Sequence, residues 1–353
     1  MMAGEYYEEK NDLILTYICP ILGLCGFLLH SLSFLVYSNS KFKELLYKYL
    51  KMESLNVLLD LLITSLKPIY FCRTCDVSRT HFVQIYFIAF MVYGASILEL
   101  SAIMNRNLST LCCLILLRKK FSKLRITLIL NYYKILNLII FVISALIFVY
   151  QVFEFKIVNN ENEKFYNVEK SQFSKTTLKS VLEVTSFIFR DGINLSILIL
   201  LNIFIFICFK NDLSKKKAFF KSKNSNTELT TFKDISSSVR DTRQSTEKKY
   251  VVKTRNDRIK QSERKQTIMV FLTCLCCITG RLPILIYYIL SNLDKKNNYK
   301  QLDNVAVMII YLTYVFNFFL YYQSNRRFKQ TLIQMCSDCL KKFNEKFKKL
   351  YYF

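Results

Sequence analysis

The chain has no tryptophan, two histidines, three prolines and six glycines among 353 residues, and its acidic side chains are outnumbered by basic ones, 26 to 50. With only His30 and His81, both in or beside apolar runs, neither a His-Glu-x-x-His metal helix nor a Ser-His-Asp constellation can be assembled. The few glycines form no phosphate-cradling loop. An enzyme is therefore not expected. Internal repeats are also lacking, which argues against a transporter built from duplicated halves.

What the chain has in quantity is apolar surface. Hydrophobic residues make up 52% and aromatic residues 15%, with a mean hydropathy of +0.21, values that belong to a membrane protein rather than to two soluble domains. Apolar runs at 13–37, 55–71, 82–104, 135–153, 187–209, 267–290 and 304–322 each approach the roughly 17–25 residues that cross a bilayer as a helix. The expected fold is all-α: a seven-transmembrane helix bundle over 13–322, after a short extracellular tail at 1–12. The first run follows the acidic stretch MMAGEYYEEKND and ends at no small-residue cleavage site, so it is read as a retained helix rather than a leader.

A net charge of +24 would suggest a nucleic-acid partner in a soluble protein. Here most lysines and arginines fall in 38–53, 105–134, 210–266 and 323–353, which become cytosolic if the N-terminus is outside. The positive charge is then directed at the anionic inner leaflet, so membrane lipids are expected as partners and nucleic acid is not. Twelve cysteines, mostly in the spans or on the cytosolic side, do not read as a disulfide framework. Cys72 and Cys75 share a CxxC spacing, but no second pair accompanies them in an outward loop, and no metal is expected.

Two segments stand apart from the spans. The basic, Ser/Thr-rich inner loop 210–266 has too little apolar surface to fold alone and is expected to be disordered between helix extensions. Beyond 322, Phe328, Leu332, Cys336, Leu340, Phe343 and Phe347 recur at helical spacing between lysines, the pattern of an amphipathic helix lying on the inner membrane surface within 323–353. Cys336 and Cys339 are lipidation candidates there; an amphipathic tail without lipid is the alternative.

Landmarks now appear in a familiar order. SLNVLLDLL in the second run, Asn105-Arg106-Asn107 after the third, Pro283 in the sixth and Asn317-Phe318-Phe319-Leu320-Tyr321 in the seventh resemble the motifs of rhodopsin-like (class A) G-protein-coupled receptors. The departures are similar to those of nematode serpentine chemoreceptor and neuropeptide-type receptors. Gly26-Phe27 stands where the family has Gly-Asn, Asn105 replaces the acid beside Arg106, Phe318 replaces a proline, and Arg281 replaces the tryptophan two residues before Pro283. Loop 153–175 has no cysteine for the family's outer disulfide.

The resemblance implies that Asp60, Asn317 and Tyr321 form a polar switch network holding a sodium ion near Asp60, with no other cofactor. It also implies that Arg106, flanked by Asn105 and Asn107, couples to a heterotrimeric G protein, and that Pro283 is the pivot of helix six. The alternative reading of Arg106 is an arginine snorkelling from a helix end. An arginine at position 281 needs an acidic partner at that depth, and Asp60 and Glu99 are the intramembrane acids available.

For the ligand pocket the candidates are Gln84, Ile88, Arg190, Asp191, Tyr287, Tyr288 and Tyr311. The resemblance would place an amine-binding Asp at Ile88 and a retinal-binding Lys at Tyr311, so amines and retinal are disfavoured and a peptide or small polar extracellular ligand is expected. Adjacent Arg190 and Asp191 diverge by about 100° on a regular helix, so one of them faces the pocket or both pack at a helix mouth. The leading expectation is a plasma-membrane receptor signalling by movement of helix six. A membrane channel or transporter subunit, or a non-signalling scaffold, are the alternatives.

Overall fold

Helices dominate the chain wherever it is described: a computed structural model covers residues 18–66, 85, 87–117, 123–160, 165–227, 242–293 and 300–351. The helices are α1 (Cys19–Ser38), α2 (Leu45–Ser65), α3 (Ala95–Leu117), α4 (Lys123–Phe148), the single turn α5 (Tyr150–Glu154), α6 (Thr177–Phe187), α7 (Asn194–Thr227), α8 (Thr242–Leu293), α9 (Lys300–Ser324) and α10 (Arg326–Tyr351). A π-helical stretch, Phe87–Gly94, runs into α3, and another, Ile188–Ile193, joins α6 to α7.

Among the described residues, six helical stretches are long and apolar enough to cross a membrane: Cys19–Ser38, Ile88–Ile115, Tyr132–Glu154, Thr177–Asn211, Lys265–Leu293 and Leu302–Ser324. The chain thus has the composition of a multi-pass membrane protein. The expected run at 55–71 coincides with α2 as far as residue 66, beyond which it lies outside the described residues. α2 carries Lys48, Lys51, Glu53 and Asp60, which lower its hydropathy, yet it packs along both α1 and α3.

The distribution of polarity is that of a lipid-solvated bundle. Leu24, Leu28, Leu138, Leu146, Leu200, Phe204 and Phe206 face outward, while His30, Glu53, Asn56, Asp60, Asn105, Arg106, Asp191, Arg281 and Asn317 are buried. In a membrane the apolar exterior costs nothing, and the polar groups must find one another inside. α3 is the central post, touching α2, α4, α7 and α8, while α1 lies against α2 and α9.

Close helix contacts depend on two glycines. A β-carbon at Gly26 of α1 would come within 2.8 Å of Leu61 on α2, and one at Gly280 of α8 would lie 2.9 Å from the β-carbon of Thr313 on α9. Thr313 cannot easily turn away, because its hydroxyl donates to the Ile309 carbonyl at 2.9 Å. The short side chains let the backbones approach without a clash.

The structure departs from expectation in three connections. Residues 153–175 hold an antiparallel hairpin, β1 (Phe155–Asn160) with β2 (Phe165–Lys170), in register Phe155 to Lys170. The third run does not stop at 104 but continues to Leu117, so Asn105, Arg106 and Asn107 lie inside a helix. The loop 210–266, expected to be disordered between helix extensions, is helical over 210–227 and 242–266, and 228–241 lies outside the described residues. Its lysines, glutamates, glutamines and arginines are good helix formers, so the flanking apolar helices extend through them.

Candidate functional site

Four charged side chains close into a square where α3, the Ile188–Ile193 turn and α8 meet. Glu99 Oε2 accepts from Arg190 Nη1 at 2.9 Å, and Glu99 Oε1 faces Arg281 Nη2 at 2.7 Å. Asp191 Oδ2 accepts from Arg190 Nε at 2.7 Å, and Asp191 Oδ1 from Arg281 Nη1 at 2.9 Å. Each carboxylate divides its oxygens between the two arginines, so signs alternate around the ring and the total charge is zero. Every desolvated charge then has two opposite neighbours, which is the arrangement that makes ionised groups tolerable away from water. Arg281 also reaches the Tyr314 hydroxyl at 3.5 Å.

Of the two acids considered for Arg281, Glu99 therefore meets it, and Asp191 is an additional partner. The expectation that Arg190 and Asp191 splay apart is corrected. It assumed a regular α-turn, whereas the Asn194 N–H bonds back to the Phe189 carbonyl, five residues away, in a widened turn. The smaller angular step and the long arginine stem let both residues converge on one cluster. Asp191 and Arg281 are the deep members, whereas Arg190 and Glu99 are 17% and 18% exposed. Pro283, two residues beyond Arg281 in α8, has no N–H to donate to the Thr279 carbonyl, so the helix is weakened beside its buried cation.

Further along α3 is a second buried ionic contact. Arg106 pairs with Glu53 of α2 and donates through Nη2 to the Tyr321 hydroxyl of α9 at 3.2 Å. Arg106 is 2% exposed, so it is no arginine snorkelling from a helix end. Its Nε and Nη1, and Glu53 Oε2, have no hydrogen-bond partner among the described residues. Asn105 donates to the Ser101 carbonyl at 2.9 Å, and Asn107 to the side-chain oxygen of Asn194 at 3.1 Å, tying α3 to the start of α7. Neither flanking asparagine lies at the surface.

Asp60 and Asn317 are both buried, and Asn317 Oδ1 has no hydrogen-bond partner among the described residues. A carboxylate and an amide oxygen suit in kind the hard monovalent cation that the resemblance implies. No group of three His, Cys, Asp or Glu side chains gathers among the described residues to hold another metal. His30 on α1 donates from Nε2 to the Tyr314 carbonyl at 3.0 Å, so Tyr314 is held at its backbone by α1 and at its hydroxyl by α8.

The α9–α10 turn has its own polar joint. Asn325 Oδ1 accepts the Phe328 N–H at 3.2 Å and so caps α10, while its Nδ2 donates to the Tyr47 hydroxyl of α2 at 3.2 Å. The same hydroxyl accepts from Gln266 of α8 at 2.8 Å. Tyr321, Tyr37, Phe318 and Phe328 pack around this joint with ring centroids 5.3–6.1 Å apart where they are paired.

Among the ligand-pocket candidates, Arg190 and Asp191 are members of the square, and Tyr288 stacks on Phe187 at 3.5 Å, joining α8 to α6. Tyr287 is its half-buried neighbour on α8, and Ile88 lies in the π-helical stretch before α3. Tyr311 is instead buried with Val57, Leu61 and Ala102, away from any open face. Gln84, Cys72 and Cys75 lie outside the described residues. Cys336 and Cys339 are exposed on α10.

Among the residues of these contacts to which the sequence reading gave no role are Glu53, Tyr47, Gln266, Tyr314 and Asn325. Glu53 had a usable signal, since it precedes Asp60 by two helical turns and therefore shares its face. No family model matches the chain, and no curated protein matches it.

Proposed function

We propose that this chain is a seven-helix receptor of the rhodopsin-like, G-protein-coupled kind, with its N-terminus outside the plasma membrane and its C-terminus in the cytosol. α2 is its seventh span: its low hydropathy comes from Glu53, which faces Arg106, from the buried Asp60, and from Lys48 and Lys51 at the end it shares with α10. The ligand is a peptide or small polar molecule arriving on the hairpin side, and the output is read by a heterotrimeric G protein at the α10 end. A sodium ion in the interior would be held by Asp60 with Asn317, where it would supply one balancing positive charge.

The observation that carries this reading is the charge square beside Pro283. A molecule that competes for Arg190 or Glu99, the two accessible members, alters what Arg281 binds. That change acts on α8 at the turn where its hydrogen bonding is already broken. The shift is transmitted along α8 to the end that meets Tyr47, and along α3 to Arg106.

The test is a cAMP and calcium screen of cells expressing the chain against peptide and small-molecule panels, with Arg106→Ala as the control. Ligand-evoked second-messenger change that Arg106→Ala abolishes is expected. Ligand-evoked current that persists with G proteins blocked overturns the receptor reading in favour of a channel.

A further inference from the structure

The α1–α2 corner connects two elements that do not otherwise share a function. On one side it fastens α10: Lys41 donates to Gln334 at 2.8 Å, Glu44 pairs with Arg327 at 3.0 Å, and Tyr47 receives Asn325 at 3.2 Å. On the other it fastens α8, because the Tyr47 hydroxyl also receives Gln266 at 2.8 Å. Asn325 additionally touches the Met269 sulfur of α8 at 3.8 Å. Tyr47 is fully buried, stacked on Tyr37 and edge-on to Phe42, so its hydroxyl is a fixed point from which two amide donors are held.

α10 is itself built to meet a charged surface. It starts two residues after a candidate span ends at Ser324, so it leaves the apolar phase at its first turn. Its anchored end buries Phe328 and Leu332, while Ile333, Leu340, Phe343 and Phe347 are exposed, with Lys341, Lys342, Lys346 and Lys348 exposed among them. Basic residues outnumber the two acids, Asp338 and Glu345, along the helix. An apolar face edged by lysines fits an anionic phospholipid surface better than a neutral one, since each lysine near such a surface adds electrostatic attraction.

We propose that anionic lipid bound by α10 sets the position of the near end of α8, through the Asn325–Tyr47–Gln266 joint. Lipid that pulls or rotates α10 moves Asn325, which is at once its N-cap and the donor to Tyr47. The hydroxyl oxygen accepts from both amides, so a displaced Asn325 changes how strongly it holds Gln266, and the equilibrium of α8 depends on headgroup charge. The inference rests on the membrane part of the reading above and is independent of any ligand or G protein.

The experiment uses the full chain in nanodiscs, with genetically encoded spin labels replacing exposed Leu111 on α3 and Lys265 on α8. Discs of phosphatidylcholine alone are compared with discs containing phosphatidylserine. The distance distribution is expected to shift with phosphatidylserine in the parent and to stay unshifted in Tyr47→Phe, which keeps the ring packing and loses the hydroxyl. Gln266→Leu serves as the second variant, since it severs only the α8 arm and leaves the α10 cap intact. No shift in the parent, or an undiminished shift in either variant, overturns the proposal. Because no ligand or G protein enters the measurement, its failure leaves the receptor reading standing, and failure of that reading leaves this result unaffected.

Discussion

Glu53 and Arg106 form an ion pair inside the bundle across 53 residues of sequence, and the carboxylate comes from α2 rather than from a neighbour of the arginine on α3. Both side chains are almost wholly withdrawn from solvent, so removing either charge leaves the other uncompensated. Glu53→Gln is expected to destabilise the protein by about 3–5 kcal/mol. Thermal unfolding in detergent measures it. The Glu53→Gln/Arg106→Gln double variant should lose distinctly less than the sum of the single losses; strict additivity would show that the pair contributes no coupling.

The charge square gives a graded expectation. Arg281 and Asp191 are its deep members and Arg190 and Glu99 its shallower ones. Asp191→Asn or Arg281→Gln should each cost about 3–5 kcal/mol, and Arg190→Gln less, because water reaches Glu99 and Asp191 keeps Arg281. Unfolding midpoints of the three variants under one condition decide the order. Equal losses would contradict the difference in burial.

Gly280 and Thr313 form a close approach of α8 to α9. Gly280→Ala should destabilise by about 1–3 kcal/mol through overpacking, although alanine is the better helix former. Thr313→Ala in the same chain removes the hydroxyl and methyl branches but keeps the β-carbon, so it should restore only part of the loss. A Gly280→Ala variant as stable as the parent would mean that the two helices can separate at no cost.

Asn325 caps α10 by accepting the Phe328 N–H. Asn325→Ala should cost about 1 kcal/mol at that helix start and expose the α9–α10 turn to protease, whereas Asn325→Asp retains the acceptor and should protect it. Limited proteolysis followed by mass spectrometry of the cut near residue 325 reads the difference.

Uninterrupted apolar runs made most of the spanning helices legible, because bilayer thickness dictates their length and little else is needed. The run at 55–71 located α2 but not its start at Leu45, since hydropathy averages over faces and cannot see that Glu53 points at Arg106. Helix ends were less readable: apolar content falls at 104 and 209, but α3 and α7 continue through residues whose helix propensity needs no apolar face. The hairpin at Phe155–Lys170 did carry a signal, alternation in FKIV followed by the turn-forming NNEN, though it was read as loop. Arg281 was recognised as needing an acid, but Asp191 could not be paired with it from periodicity alone, because a π-turn leaves no mark in composition.

That turn also makes the bundle sensitive to a change of a single residue. Ile188–Ile193 holds one residue more than an α-helical path through the same space would use. Deleting Gly192 would let α6 and α7 fuse into one regular helix, with the residues on either side kept in phase and only the widened turn lost. Adjacent Arg190 and Asp191 would then diverge by about 100° and could not both meet their partners on α3 and α8, while Asn194 still faced Asn107. The helix would be more regular and its interior charges orphaned, so a local irregularity of backbone is what keeps the electrostatics of the whole bundle in register.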